Sequence, residues 1–275
     1  MSFPKKIYIN SAYRSYGKSD SDFSVQLTGL KSLPENMVAC ISDIVLENIF
    51  YTIESTTNKI IIESSVTVVP KVDEYYQILL TPGYYNVIQF IEMLRSSTIY
   101  TSNYKTGPFV VSSNVVSDLF TVTDPYTSVG DPYKIKITRN DNGYFAIVEN
   151  TTGSVFPIEN PLSQDTEKYN LSYNMNGYNC FFIRCSQLSS FNTYVSGKKK
   201  FTGEDISGAS SIIKKVPINV RHGYTIFDSN TDSREWFDVS HKDLTTLDFK
   251  ITDYEGNILD LKGTNISFSI IFDEK

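Results

Sequence analysis

Short runs of alternating apolar and polar residues, broken by turn chemistry, recur from one end of this chain to the other and confine it to sheet-based folds. Phe23, Val25 and Leu27 alternate with Ser24 and Gln26, and far downstream Ile266, Phe268, Ile270 and Phe272 alternate with Ser267, Ser269 and Ile271. Successive side chains of a strand point to opposite faces, so this pattern sets one face on a core and the other in water. Residues 37–46 are instead almost continuously apolar, as in a strand buried on both faces. Further strands are expected over 60–62, 66–69, 76–80, 120–123, 133–138, 144–148, 179–187, 211–219, 244–252 and 258–261. The 19 Tyr and 17 Phe against one Trp reinforce the reading, because aromatic side chains fit pleated, half-buried surfaces.

One segment departs from the period of two. After Thr81-Pro82-Gly83, the residues Val87, Ile88, Ile91 and Leu94 fall at i, i+1, i+4 and i+7 with Gln89, Glu92 and Arg95 between them, which predicts an amphipathic helix over about 85–97. Asn142-Gly143 between the runs 133–138 and 144–148 predicts a hairpin, since both residues tolerate positive φ. The stretch 66–168 therefore reads as a small α+β insertion. Around it, 1–65 and 169–275 read as two parts of one β-sandwich of Greek-key type whose terminal strands pair.

A chain of 275 residues, 40% hydrophobic and 20% charged, suffices for one such core and its appendage. The net charge of −6 argues against a surface that embraces nucleic acid. The basic groups Lys198 to Lys200, Lys214 with Lys215, and Lys5 with Lys6 read as solvated loops, the last pair alternatively as a contact for anionic neighbours. No apolar run of signal-peptide length opens the sequence, and none approaches the roughly 18 residues of a spanning helix, so the expectation is a soluble, unexported protein. The sequons at Asn150, Asn170 and Asn265 then carry no meaning, and Cys40, Cys180 and Cys185 read as small buried hydrophobes in a reducing compartment.

Catalytic and metal-binding patterns are sparse. Ser240-His241 with Asp243 has the residue types of a triad, but neighbours on a strand or tight turn point apart. Asp228, Asn230 and Asp232 have the spacing that opens a calcium loop and are the candidate cation ligands. Ser233 stands where that loop needs Gly and Val239 where it needs Glu, which favours an Asx-rich turn. No Gly-rich phosphate loop precedes a helix. The expectation is a non-enzymatic protein with no catalytic residues, no cofactor and no metal.

Two sets of residues carry a resemblance. The first is Ile7-Tyr8-Ile9-Asn10-Ser11 with Arg14, leading to Asp22-Phe23-Ser24-Val25. The second is Trp236-Phe237-Asp238-Val239, residues 244–249, Thr252-Asp253-Tyr254-Glu255-Gly256-Asn257 and Asn265-Ile266-Ser267-Phe268-Ser269-Ile270. Together they resemble the penton, or minor capsid, proteins of virophages and related double-jelly-roll DNA viruses, including polinton-like viruses. More weakly, Leu80-Thr81-Pro82-Gly83-Tyr84-Tyr85 before a helix is similar to a segment of several such proteins.

The resemblance implies a mainly β fold, a single jelly-roll β-sandwich interrupted by the insertion, with Asp253 and Gly256 shaping the turn of a final hairpin. It implies a structural capsid protein of the virion, assembled inside the host cell as a homopentamer at the icosahedral vertex. Implied neighbours are a double-jelly-roll major capsid protein, an internal minor capsid protein and a host receptor met through the insertion, with no specific nucleic acid. The competing expectation is a jelly-roll fibre or spike protein that binds a receptor or glycan.

Overall fold

The computed structural model describes residues 6–28, 30, 33–55, 58–65, 73–124, 134–140, 144–150, 168–172, 177–189, 193–197, 208–229 and 235–274. The chain divides into two compact units, 1–50 with 178–275, and 51–177. The first unit opens with β1 (Lys6–Asn10), β2 (Tyr16–Ser19), β3 (Asp22–Gln26) and β4 (Met37–Glu47). The second supplies β5 (Lys59–Ser65), β6 (Asp73–Leu79), α1 (Val87–Ser96), β7 (Thr98–Ser102), β8 (Val110–Val115), α2 (Val116–Leu119), β9 (Phe120–Thr123), β10 (Lys134–Arg139), β11 (Tyr144–Asn150) and β12 (Lys168–Ser172). The first unit resumes with β13 (Cys180–Arg184), β14 (Thr193–Val195), β15 (Gly208–Ser210), β16 (Ile212–Pro217), β17 (Thr225–Asp228), β18 (Phe237–Asp238), β19 (Thr246–Thr252) and β20 (Ser267–Glu274).

In the first unit, one antiparallel sheet has the order β1-β20-β4-β17, with β18 also on β4, and the other the order β16-β13-β19-β3-β2. The chain changes sheet between β1 and β2, β3 and β4, β16 and β17, β18 and β19, and β19 and β20. Pairs such as β1 with β20 and β3 with β19 therefore join opposite ends of the sequence. This nested, sheet-swapping order is that of a jelly roll. Both sheets feed one core. Phe23 and Phe249 from one sheet and Phe268 from the other form a stack with centroid separations of 5.5 and 5.1 Å. The run 37–46 is buried on both faces only from Met37 through Ser42; beyond it β4 alternates, with Val45 turned to solvent.

In the second unit, an antiparallel sheet of order β11-β5-β6-β7-β8 shares a core with α1, α2 and a smaller sheet of order β12-β10-β9. Helix α1 starts where Asn86 caps it: its Oδ1 accepts the Gln89 N–H (2.9 Å), while Gln89 Oε1 accepts the Asn86 N–H (3.1 Å). Its buried residues are Phe90, Ile91 and Leu94, which meet Ile60, Ile62 and Ile78 in that core.

Several expectations need correction. The strand 59–65 pairs with β6 and β11, so it belongs to the second unit rather than to the first part of the sandwich, and the units meet in sequence at 50/51 and 177/178 rather than at 65/66 and 168/169. The expected hairpin between β10 and β11 does not form. β10 pairs with β9 and β12, whereas β11 pairs with β5, whose buried Ile60, Ile61 and Ile62 make it an interior strand requiring a partner on each edge. An Asn-Gly dipeptide permits a reversal but does not choose the edge that receives it. Ile88, expected on the buried stripe of α1, is 59% exposed, because the core-facing row is 87, 90, 91 and 94. Residues 258–261 form no strand. A single bridge joins Ile258 to Thr252, and Leu259 and Leu261 then drop into the core as the chain crosses to β20 in the other sheet; β19 and β20 are thus not a hairpin pair. The expected strand 66–69 lies outside the described residues.

Candidate interaction surfaces

The residues that carry the resemblance form a seam between the two ends of the chain. Asn10 Oδ1 accepts the Ala12 N–H (2.9 Å) and starts a short 3-10 turn. Ser11, fully buried, closes on the C-terminal segment: its N–H donates to Ile266 O (3.0 Å) and its Oγ accepts the Ile266 N–H (3.1 Å). Arg14 donates to Ser11 O (3.0 Å) and to Asp20 (2.5 Å), bracing the loop between β1 and β2.

Asp253 and Gly256 lie in the turn after β19. Asp253 accepts the Asn257 N–H (2.9 Å) and side-chain amide (2.8 Å), and Gly256 has φ +91, where a side chain would be strained. Beside it, Arg184 donates to Thr252 Oγ1 (2.8 Å), Ser210 Oγ (3.0 Å) and Tyr254 O (3.3 Å), and Tyr254 packs on Phe182 with centroids 5.8 Å apart. This corner is a braced end of the sheet.

Of the candidate cation ligands, Asp228 ends β17 and faces Lys214 Nζ at 3.5 Å, a mostly buried ion pair between strands of opposite sheets. Asn230 and Asp232 lie outside the described residues, as do Lys5 and Lys198 to Lys200. Among the described residues no cluster of His, Cys, Asp and Glu could hold a metal ion. Ser240 and His241 are turn residues: Ser240 Oγ donates to Met37 O (3.3 Å), and His241, at φ +60, donates its N–H to Leu33 O (3.2 Å). All three cysteines are free, and burial pushes the Cys185 thiol up to about 11, which keeps it protonated and inert.

The surface features that the sequence left unassigned are aromatic. β1 and β2 are edge strands of the two sheets; Tyr8 on β1, Tyr13 in the turn between them and Tyr16 on β2 are exposed, Tyr13 to 84%. On the opposite edge, β17 exposes Phe227 (60%), and Tyr224 is exposed just before it. Phe227 lies directly across from exposed Val45 on β4, which extends an apolar strip onto the outer sheet face. Nearby, β4 bulges against β20 and Asp43 adopts φ +52. Its carboxylate accepts from Lys6 Nζ (2.5 Å) and Ser269 Oγ (2.7 Å), and the lysine first, then the serine, holds the carboxyl below the usual Asp range.

No known protein family and no curated protein matches the chain. Among solved structures it is similar to the selenomethionine-labelled mavirus penton protein, with 10% identity, a TM-score of 0.46, and 99% of this chain and 100% of that chain covered. A likeness of this size carries no functional argument; the jelly-roll assignment rests on the strand order above.

Proposed function

We propose that this chain is a structural capsid protein of a DNA virus, standing as a ring of five copies at each icosahedral vertex. The observation that carries the reading is the pair of opposed sandwich edges, Tyr8, Tyr13 and Tyr16 on one side and Tyr224 and Phe227 on the other. A ring repeats one heterologous contact that closes on itself, so it needs two different, complementary edges on every subunit and no active site. Exposed aromatic residues at such edges supply the contact area that interfaces favour. The sequence resemblance to penton proteins, carried by the terminal seam, supports the same reading. The neighbours in the shell are then a double-jelly-roll major capsid protein and an internal minor capsid protein.

Co-expression with the double-jelly-roll capsid protein of the same genome, followed by imaging of the particles, tests the proposal. Density for this chain at the fivefold vertices is expected. Closed shells whose vertices lack it would overturn the reading.

A further inference from the structure

We infer that the second unit carries a binding groove for neutral glycans, formed at one end of its large sheet and topped by Tyr104. This inference does not depend on the vertex assignment. The register builds the groove: Tyr76 lies opposite Thr101, and Thr101 opposite Val110, so β6, β7 and β8 present one continuous face. Toward the middle of the sheet that face is core, with Ile60, Ile62, Ile78 and Ile99 under α1. Toward its end the face opens into a concavity of about 460 Å³ lined by Glu74, Asn103, Tyr104, Val110, Asn114 and Leu119 among others. That volume lies within the range of small-ligand sites, about 300–1,000 Å³.

Tyr104 is 70% exposed, and its backbone is tied in place. Its N–H donates to Ser102 Oγ (3.1 Å), its carbonyl accepts the Gly107 N–H (3.2 Å), and the Gly107 backbone lies so close that an added Cβ would stand 2.9 Å from the Tyr104 Cβ. A tethered backbone thus displays an aromatic face to solvent, so that a ligand has to order only the ring and not the loop that carries it. Opposite it, the Tyr76 hydroxyl donates to Glu74 Oε2 (2.6 Å) and fixes the carboxylate at the rim.

The composition selects the ligand. A ring face with amides, hydroxyls and a carboxylate around it matches a sugar, whose C–H face stacks on the aromatic ring while its hydroxyls both donate and accept. The described lining holds one carboxylate and no Lys, Arg or His, which disfavours sialylated sugars and nucleic-acid phosphates.

The full chain should be screened on an array of neutral and sialylated glycans, and its best neutral hit titrated by saturation-transfer NMR. A short thymidine oligonucleotide serves as the anionic control. The expected result is binding of at least one neutral glycan, weakened at least about tenfold in Tyr104→Ala and in Gly107→Ala, and retained in Tyr104→Phe. Binding of sialylated glycans or of the oligonucleotide alone, no neutral glycan bound, or neutral binding unchanged in Tyr104→Ala would each overturn the inference.

Discussion

The two units of this chain are both antiparallel β structures, but they are wired oppositely. In the first unit the sheets are closed by strands from opposite ends of the sequence, β1 on β20 and β3 on β19. In the second, β5 through β8 pair in chain order, and only β11 reaches back to β5. Local pairing closes small loops early, whereas the jelly roll must wait for distant segments and close large ones. The difference teaches where each unit is vulnerable: the first at the seam where its ends meet, the second within its own helix and sheet. It also separates their surfaces, since the first exposes aromatic residues at its edges and the second shapes a groove.

Substitutions that strike one unit alone test this division, and hydrogen exchange read separately on β19–β20 and on β6–β7 is the measurement. The largest effect is expected from Phe249→Ala, which empties the centre of the Phe23–Phe249–Phe268 stack and should cost about 3–5 kcal/mol. Protection should fall in β19 and β20 and hold in β6 and β7; equal losses in both would break the comparison. Leu94→Ala is the mirror experiment, costing about 2–5 kcal/mol in the second unit only.

Ser11→Ala leaves the buried Ile266 N–H without its side-chain acceptor and should cost about 1–3 kcal/mol, all of it in the first unit. A loss confined to β1, with β19 unchanged, would show that the seam is not coupled to the sandwich. Asn86→Ala removes the cap of α1 and should lower the second unit's stability by about 1 kcal/mol, seen as faster exchange at the start of that helix.

The smallest effect concerns pH. Because the folded Asp43 carboxyl lies below its ordinary value of 3.8, its contribution is complete above that value and is lost as pH falls through the lower folded one. Asp43→Asn, which suits the positive φ, should remove this part of the acid dependence and leave the second unit's acid response unaltered. An unchanged acid profile in the first unit would remove Asp43 from the account.

Much of the first unit was legible because its strands are buried on one face or both and so carry strong alternation, as in 22–27, 37–46 and 266–272. The pairing of the two terminal strands was legible and holds in β1 with β20, but the edges on which the inner strands pair were not, since pairing depends on distant partners; the misplaced hairpin at 139–144 shows the limit of local turn signals. The Asn86-x-x-Gln89 capping box was readable and marks the start of α1 one residue before its first helical position. The stripe 87, 88, 91 and 94 fits the helical period almost as well as the observed 87, 90, 91 and 94, and only the packing of Phe90 distinguishes them. Exposed Tyr8, Tyr13 and Tyr104 gave no signal of their own, because the same aromatic residues serve cores and surfaces alike.

Native mass spectrometry of the purified chain, with Tyr13→Asp and Phe227→Asp alongside, tests the central claim most directly. The account predicts a five-chain species that either substitution, one on each opposed edge, converts to monomer while the fold persists. A monomer or trimer from the unaltered chain, or a pentamer indifferent to both substitutions, would contradict it.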